Sequence, residues 1–454
     1  MTVRMKLFGT NGVRGVVNEL MSPDFVMKMG KSIGTAMNGN IAVATDTRTS
    51  NIMLRSALIS GILSTGSSVT DTGVVPTPAL QYHVRTGAYA GGVVVTASHN
   101  PPQFNGVKAI SADGTESSRE EEKSIEDAFY SEEFRKAAWN DVGSYTVCGS
   151  CATDYVNAIA SKVAREEIRR RKFTVVLDCS NGASCYTAPY LMEKLGVRVV
   201  TLNASPQGSF PGHESEPTPE NLKDLIRMVK TAGADMGIAH DGDADRAVFV
   251  DENGRYIPGE LGLALTAKEI IRKRKGGIVV VPVSTPSVVE EAVKEFGGRT
   301  VYTKVGSPVV ARKMMETGAL IGGEENGGII NPEMQYCRDG GMTAAKMLEI
   351  VAEGGKLSEL IDALPKFYTV KLKVRVHEKQ LDAVMAGVKK NIQPNNVDET
   401  DGLKIFLDDG WVLVRASGTE PLIRIFAESK SEKSAEKHAS EYRKIVEELA
   451  GRSP

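Results

Sequence analysis

The chain has 454 residues, 25% of them charged and 41% hydrophobic, with 45 Gly, 19 Pro and 5 Cys. At roughly 100–200 residues per domain, that length calls for several domains rather than one core. Lys plus Arg number 55 and Asp plus Glu 57, a formal net charge of −2, which excludes bulk attraction to nucleic acid or an anionic membrane and leaves anion binding to local sites.

No run approaches the ~20 apolar residues that span a bilayer. The opening MTVRMKLFGTNGVRG turns glycine-rich before an export signal can form, so a cytoplasmic protein is expected. Five cysteines, an odd number in so long a chain, make no disulfide framework and suit a reducing compartment. Cys148 and Cys151 (CGSC) have no second pair at zinc spacing.

In chain order, FGTNGVRG (Phe8 to Gly15) places Arg14 on a glycine-framed turn. A βαβ unit begins at Ile41 (IAVATDTRTS, later LISGILSTGSSVTDTG), recurs from Phe173 (FTVVLDCSNGAS, later YLMEKLGVRVVTLN) and again from Gly277 (GIVVVPVSTPSVVEEAVKEFGGRTVYTKVG). Runs such as TVVLD and VVVPV are continuously apolar, the mark of strands covered on both faces. The basic run Arg165 to Lys172 reads as a solvated helix end before a strand, and the acidic run from Ser118 as a helix start. From Phe367 the pattern changes to YTVKLKVRV, a helical stretch, and LKIFL and WVLVR flanking Asp408, Asp409 and Gly410. The strand LIRIF and a helix with Ala435, Ala439, Tyr442, Val446 and Leu449 on one face close the chain. The expected fold is three related α/β domains with mixed sheets flanked by helices, plus a smaller C-terminal α+β domain, around a central cleft. Boundaries are placed at residues 1–153, 154–256, 257–366 and 367–454.

Five segments carry chemistry. In GGVVVTASHNPPQFNGVK (Gly91 to Lys108) a buried-type strand delivers Ser98 at its carboxyl end, and two prolines forbid an immediate helix, so an exposed serine on a rigid loop is expected. A serine nucleophile needs a base, a metal or a bound phosphoryl group, and the G-x-S-x-G elbow of hydrolases is absent. In ADMGIAHDGDADRAVFVDENG, Asp241, Asp243 and Asp245 are spaced by two between apolar strands. Three carboxylates pointing into one concavity repel unless a hard divalent cation sits there. An EF-hand fails, because its sixth position is Arg246 rather than Gly. In VRASGTEPLIRIF, Arg415 and Arg424 bracket a turn whose exposed N–H groups make an anion seat. GGEENGG presents Glu324 and Asn326, a carboxylate and an amide suited to sugar hydroxyls. Arg14 adds a further cation.

Together TASHNP, DGDADR, GEENGG and RASGTEP resemble, in order and over essentially the whole chain, the α-D-phosphohexomutases. The resemblance implies that Ser98 is carried as phosphoserine and that Asp241, Asp243 and Asp245 bind one Mg²⁺ together with it. It implies Lys108 as the proton-transfer lysine, with His99, Arg14 and Arg246 in the catalytic set. It assigns Glu324 and Asn326 to the sugar. Arg415, Ser417, Gly418, Thr419 and Arg424 fall to the non-reacting phosphate, with Lys304 and Gly306 of TKVG in support. A bisphosphorylated sugar is the implied intermediate and activator, a hexose phosphate the implied partner. Many relatives carry G-E-x-S-G-H in the sugar loop, where this chain has Asn326 and Gly328 in place of Ser and His. The FGTNGVRG opening is similar to that of archaeal-type phosphoglucosamine mutases, which implies exchange of glucosamine 6-phosphate and 1-phosphate; glucose and mannose phosphates stand as alternatives. A sugar phosphatase and a catalytically silent sugar-phosphate-binding regulator are the readings from other classes.

Overall fold

A computed structural model describes residues 6–9, 11–390, 396–417 and 421–452. The chain forms two compact units, Met1–Gly262 with Asn326–Asp362, and Leu263–Glu325 with Ala363–Pro454.

In the first unit a six-stranded mixed sheet runs in the order Val13–Val16, Phe104–Ser111, Gly91–Val95, Asn40–Thr45, Ser68–Val74, Tyr145–Val147. The βαβ unit expected from Ile41 is present, with Asn40–Thr45 parallel to Ser68–Val74 and the helix Asn51–Leu63 between them. That helix packs on Pro23–Met37, whose start is set by Ser22 accepting from the Phe25 N–H and by a proline in its first turn. The two backbones touch at Gly30 and Gly61, where an added Cβ would stand 2.3 Å from a carbonyl oxygen of the other helix. Val26, Met29, Ile33, Leu54, Leu58 and Ile62 are fully buried there, each contributing ~1.5–3 kcal/mol of hydrophobic stabilisation.

The unit's second sheet has the order Tyr256–Ile257, Ala247–Asp251, Met236–His240, Thr174–Asp178, Arg198–Leu202. Thr174–Asp178 and Arg198–Leu202 are the parallel pair expected from Phe173; the helix Ala188–Leu195 joins them and ends on Gly196 at φ 77°, a left-handed cap that glycine adopts without steric cost. The basic run forms the short helix Arg165–Arg171, and the acidic one begins Arg119–Ser131 with a reciprocal Ser118 and Glu121 capping box.

In the second unit Gly277–Pro282 lies parallel to both Gly298–Thr303 and Ile321–Gly323. The C-terminal part is an antiparallel sheet, Tyr368–Arg375, Leu422–Ser429, Gly410–Ala416, Leu403–Leu407, Val397–Asp398, covered by the helices Leu381–Lys390 and Glu432–Arg452. Ala439 and Val446 are buried in the core under the sheet, with Tyr442 and Leu449 partly so, and Ala435 is buried as well, as their spacing predicts. The hairpin is tighter than the sequence suggests: Gly410 pairs with Leu407, so the loop is Asp408 and Asp409, and a Cβ on Gly410 would stand 1.8 Å from the Glu428 carbonyl oxygen. Among the described residues no helix is long and apolar enough to cross a membrane.

Candidate active site

The strand Gly91–Val95 is buried along its whole length and hands the chain to a loop ending at Phe104. Ser98 sits in that loop at φ 51°, a left-handed conformation that costs a residue with a Cβ. It is fully buried, which corrects the expectation of an exposed hydroxyl. The covering group comes from the next sheet of the same unit: Ser98 Oγ donates to Asp241 Oδ2 at 2.8 Å, with His99 Nδ1 at 3.4 Å.

Asp241 to Arg246 form the connection between two antiparallel strands in which His240 pairs with Ala247. One oxygen from each of Asp241, Asp243 and Asp245 lies within 4.8 Å of the others, and all three residues are buried. Burial, then the charges of Asp245 and Asp243, push the Asp241 carboxyl up to about 8. Burial acts on Asp243 in the same sense, but the Lys108 ammonium 2.6 Å away reverses it, and Thr77 Oγ1 adds a donor at 2.7 Å, so Asp243 is held far below the usual carboxylate range. Lys108 reaches Asp245 at 3.4 Å as well. Its own burial works to lower it, and the two carboxylates outweigh that and raise it.

Asp243 Oδ1 and Asp245 Oδ1 are buried with no hydrogen-bond partner. Hard oxygen donors that accept no hydrogen bond in a small carboxylate cage fit a divalent cation such as Mg²⁺.

Of the cations expected from the sequence, Arg246 and Arg14 lie beside this cage. Arg246 Nη2 donates to His99 Nδ1 at 2.9 Å, and Arg246 Nε lies 3.7 Å from Asp241. The Arg246 guanidinium, burial and Arg14 push the His99 imidazole far below its ordinary value, so its Nδ1 is an acceptor engaged by Arg246. Arg14 Nη1 donates to Asn100 Oδ1 at 2.9 Å and the Ala97 carbonyl at 3.3 Å. Two residues here belong to no motif read from the sequence. One is Thr77, whose N–H also donates to the Asp243 carbonyl at 3.0 Å; the other is Arg338, whose Nη2 donates to Asp245 Oδ2. A lone arginine ahead of two glycines in YCRDGG is the available signal for the latter.

Asn326 belongs to the same unit, its Oδ1 accepting from the Gly328 N–H at 3.1 Å. Glu324 belongs to the second unit and is buried, not presented on an open loop. In that unit Arg415 and Arg424 are directly opposite in the antiparallel pair, and with Ser284, Val305 and Glu325 they line a cavity of about 40 Å³. Asp401, also absent from the motifs, joins this seat to the TKVG segment: it pairs with Arg415 Nε at 2.8 Å and accepts from the Val305 N–H at 2.9 Å. Lys304 is exposed, and Gly306 at φ 132° precedes the helix Ser307–Thr317. The Ser417 N–H donates to the Leu422 carbonyl; Gly418 and Thr419 lie outside the described residues.

A hydroxyl on a carboxylate cage, ringed by a lysine and arginines, is equipped to pass a phosphoryl group, a reaction that proceeds by positioning and charge neutralisation. Family models agree. Residues 5–136, 153–254 and 258–368 match the phosphoglucomutase/phosphomannomutase alpha/beta/alpha domains I, II and III, and residues 372–445 match the C-terminal domain of that family. The chain is 47% identical to a phosphoglucomutase/phosphomannomutase of Thermococcus kodakarensis, over 98% of its length and 99% of the relative's. It is 41% identical to a phosphoglucosamine/phosphogalactosamine mutase of Sulfurisphaera tokodaii, covering 97% and 99%. A crystal structure of a phosphoglucomutase/phosphomannomutase family protein from Burkholderia thailandensis superimposes with a TM-score of 0.89 at 27% identity, covering 99% and 98% of the two chains. With all four family domains in sequence and relatives of this identity along nearly its full length, the chain belongs to the phosphoglucomutase/phosphomannomutase family, the α-D-phosphohexomutases.

Proposed function

We propose that this chain is a cytoplasmic phosphoglucosamine mutase, interconverting glucosamine 6-phosphate and glucosamine 1-phosphate through a phosphoserine at Ser98 and a bisphosphorylated sugar. The observation that carries the reading is the Ser98 hydroxyl held 2.8 Å from Asp241 inside the carboxylate cage, an arrangement without use for a residue that only caps a loop. The domains run over residues 1–153, 154–256, 257–366 and 367–454.

In the first half-reaction a sugar hydroxyl attacks the phosphorus on Ser98, a new P–O bond to the sugar forms, and the bond to Ser98 Oγ breaks. Lys108, held as an ammonium beside Asp243 and Asp245, gives a proton to the departing serine oxygen and takes one from the attacking hydroxyl. The second half-reaction is the reverse with the other phosphate, so no water is consumed. Asp241, Asp243 and Asp245 would hold a Mg²⁺, which would supply neutralisation of charge on the phosphoryl oxygens. Arg14 steadies the Ser98 loop through Asn100; Arg246 keeps His99 in its acceptor state. Glu324 and Asn326 hold sugar hydroxyls. Arg415, Ser417, Gly418, Thr419 and Arg424 grip the distal phosphate, supported by Lys304 and Gly306.

The preference for glucosamine rests on the FGTNGVRG opening and on relatives such as the Sulfurisphaera tokodaii enzyme. A glucose or mannose phosphate is the second reading, favoured by the name of the Thermococcus kodakarensis relative. Rates on glucosamine, glucose and mannose 6-phosphates, each with Mg²⁺ and a trace of the matching bisphosphate, decide between them. A 1-phosphate sugar as product means a mutase, free phosphate a phosphatase, and no product a binding protein.

A further inference from the structure

Arg48, in IAVATDTRTS, has no part in the chemistry above, yet it is among the largest side chains fully buried in the molecule. All five of its guanidinium N–H groups are used. Nε donates to Asp46 Oδ2 at 3.1 Å. Nη1 donates to the carbonyls of Pro101 at 2.7 Å and Phe104 at 2.8 Å, and Nη2 to those of Ser98 at 2.9 Å and Asn100 at 2.6 Å. The Phe210 ring lies 5.1 Å from the guanidinium carbon. Four carbonyls of one loop therefore converge on one cation. A loop holding two adjacent prolines lacks the N–H groups to build its own ladder, and a buried guanidinium persists only where its donors are satisfied.

The same network reaches the other end of Ser98. Asp46 Oδ2 accepts from Thr96 Oγ1 at 2.6 Å, and Thr96 Oγ1 in turn accepts from the Ser98 N–H at 2.9 Å. The Ser98 carbonyl is thus bound to Arg48 and its amide, through Thr96 and Asp46, to the same residue. This clamps Ser98 at φ 51°, a conformation that persists in a serine only when its surroundings over-determine it.

We infer that Arg48 is the positioning residue for the phosphoryl carrier: it fixes the left-handed main chain of Ser98 so that Oγ stays aimed at the carboxylate cage. The inference rests on the reading of Ser98 as phosphoserine. It explains why arginine is needed, since a lysine presents its three donors from one atom and cannot span carbonyls on both sides of the fork.

The test uses the full chain with Arg48→Lys, Arg48→Met and, as a milder variant that leaves Arg48 in place, Thr96→Val. Each is assayed for kcat and KM, for the rate at which glucose 1,6-bisphosphate adds a phosphoryl group to the protein by intact mass, and for thermal midpoint. Misplacing a reacting group by about 1 Å costs ~10²-fold, so both Arg48 variants are expected to lose about that factor in kcat and in the phosphorylation rate, with KM nearly unchanged. Thr96→Val is expected to lose roughly 10-fold in the same two readouts. A lower thermal midpoint with native kcat and native phosphorylation rate in the folded variants overturns the inference and leaves Arg48 a stability residue. If the Arg48 variants do not fold, native values for Thr96→Val overturn it. If the unmodified protein turns over substrate without ever acquiring a phosphoryl group at Ser98, the phosphoserine reading fails first and this inference falls with it.

Discussion

A Cβ on Gly328 would stand 2.3 Å from Cδ of Arg338; the missing side chain is the space through which Arg338 reaches Asp245. The resemblance set out from the sequence puts histidine at position 328, so that departure in GEENGG has a structural partner ten residues on. The backbone around it is tied down: Ala247 N–H donates to the Gly327 carbonyl at 3.2 Å and Gly340 N–H to the Ala244 carbonyl at 3.3 Å.

Gly328→Ala forces Arg338 aside. The expected cost is about 1–3 kcal/mol, the usual range for overpacking a filled site. In an Arg338→Ala background most of that cost should vanish, because the obstructing side chain is gone. Denaturant midpoints of the four proteins in this cycle measure the coupling; equal cost in both backgrounds would show that Gly328 is required for something other than Arg338.

Ser98→Ala should abolish turnover, since no other described hydroxyl donates to the carboxylate cage except that of Thr77, which is committed to Asp243. Arg424→Ala should be milder, a loss of roughly 10–10³-fold, the scale of one preorganised electrostatic contact. Arg415 directly opposite lines the same cavity and would remain to hold a phosphate bound there. Steady-state rates of the two variants side by side check this; losses of equal size would mean that Arg424 touches the reacting phosphate.

Removing divalent metal with EDTA should lower the thermal midpoint, and Mg²⁺ should restore it, because the buried Asp243 and Asp245 oxygens that accept no hydrogen bond lie beside like charges within the cage. A ligand at 100 times its dissociation constant stabilises by about 2.7 kcal/mol. Asp245→Asn should lose the Mg²⁺-dependent shift. A shift that survives in that variant places the cation elsewhere.

Much of this was legible in the sequence because local chemistry fixed it. The strands around Asp241 to Arg246 are apolar and the loop is too short to do anything but bunch its carboxylates. All three βαβ units announced themselves through short apolar runs followed by helical stretches. What stayed hidden depends on contacts distant along the chain. Nothing local to Ser98 says that Asp241, 143 residues away, will bury it, or that Arg48 will satisfy four carbonyls in its loop. Asp401, in the connection ahead of the strand Leu403–Leu407, pairs with Arg415 of the strand Gly410–Ala416, and no spacing rule predicts which acid a given arginine will find. Glu324 reads as a loop residue because glycines surround it, yet it is buried.

Lys404 provides a test by pH. Its Nζ donates to the Val283 carbonyl at 2.9 Å and lies 4.2 Å from the Trp411 ring and 4.8 Å from that of Tyr302. Burial lowers it to about 8, with Glu428, Glu290 and Asp398 opposing. A lysine depressed in the folded state is charged in both states below pH 8. Above that pH the folded form releases its proton while the unfolded chain, at its ordinary value of 10.5, retains it. The unfolded state then binds more protons, so this residue's contribution to stability rises with pH between about 8 and 10.5. By pH ~9 the gain amounts to about 1.4 kcal/mol. Because cysteines and tyrosines titrate in the same window, the quantity to measure is the difference in urea midpoint between the native protein and Lys404→Met across pH 7 to 10. That difference should shift in favour of the native protein as pH rises; a flat difference would mean that the cation is stabilised by the surrounding rings as fully as it is by water.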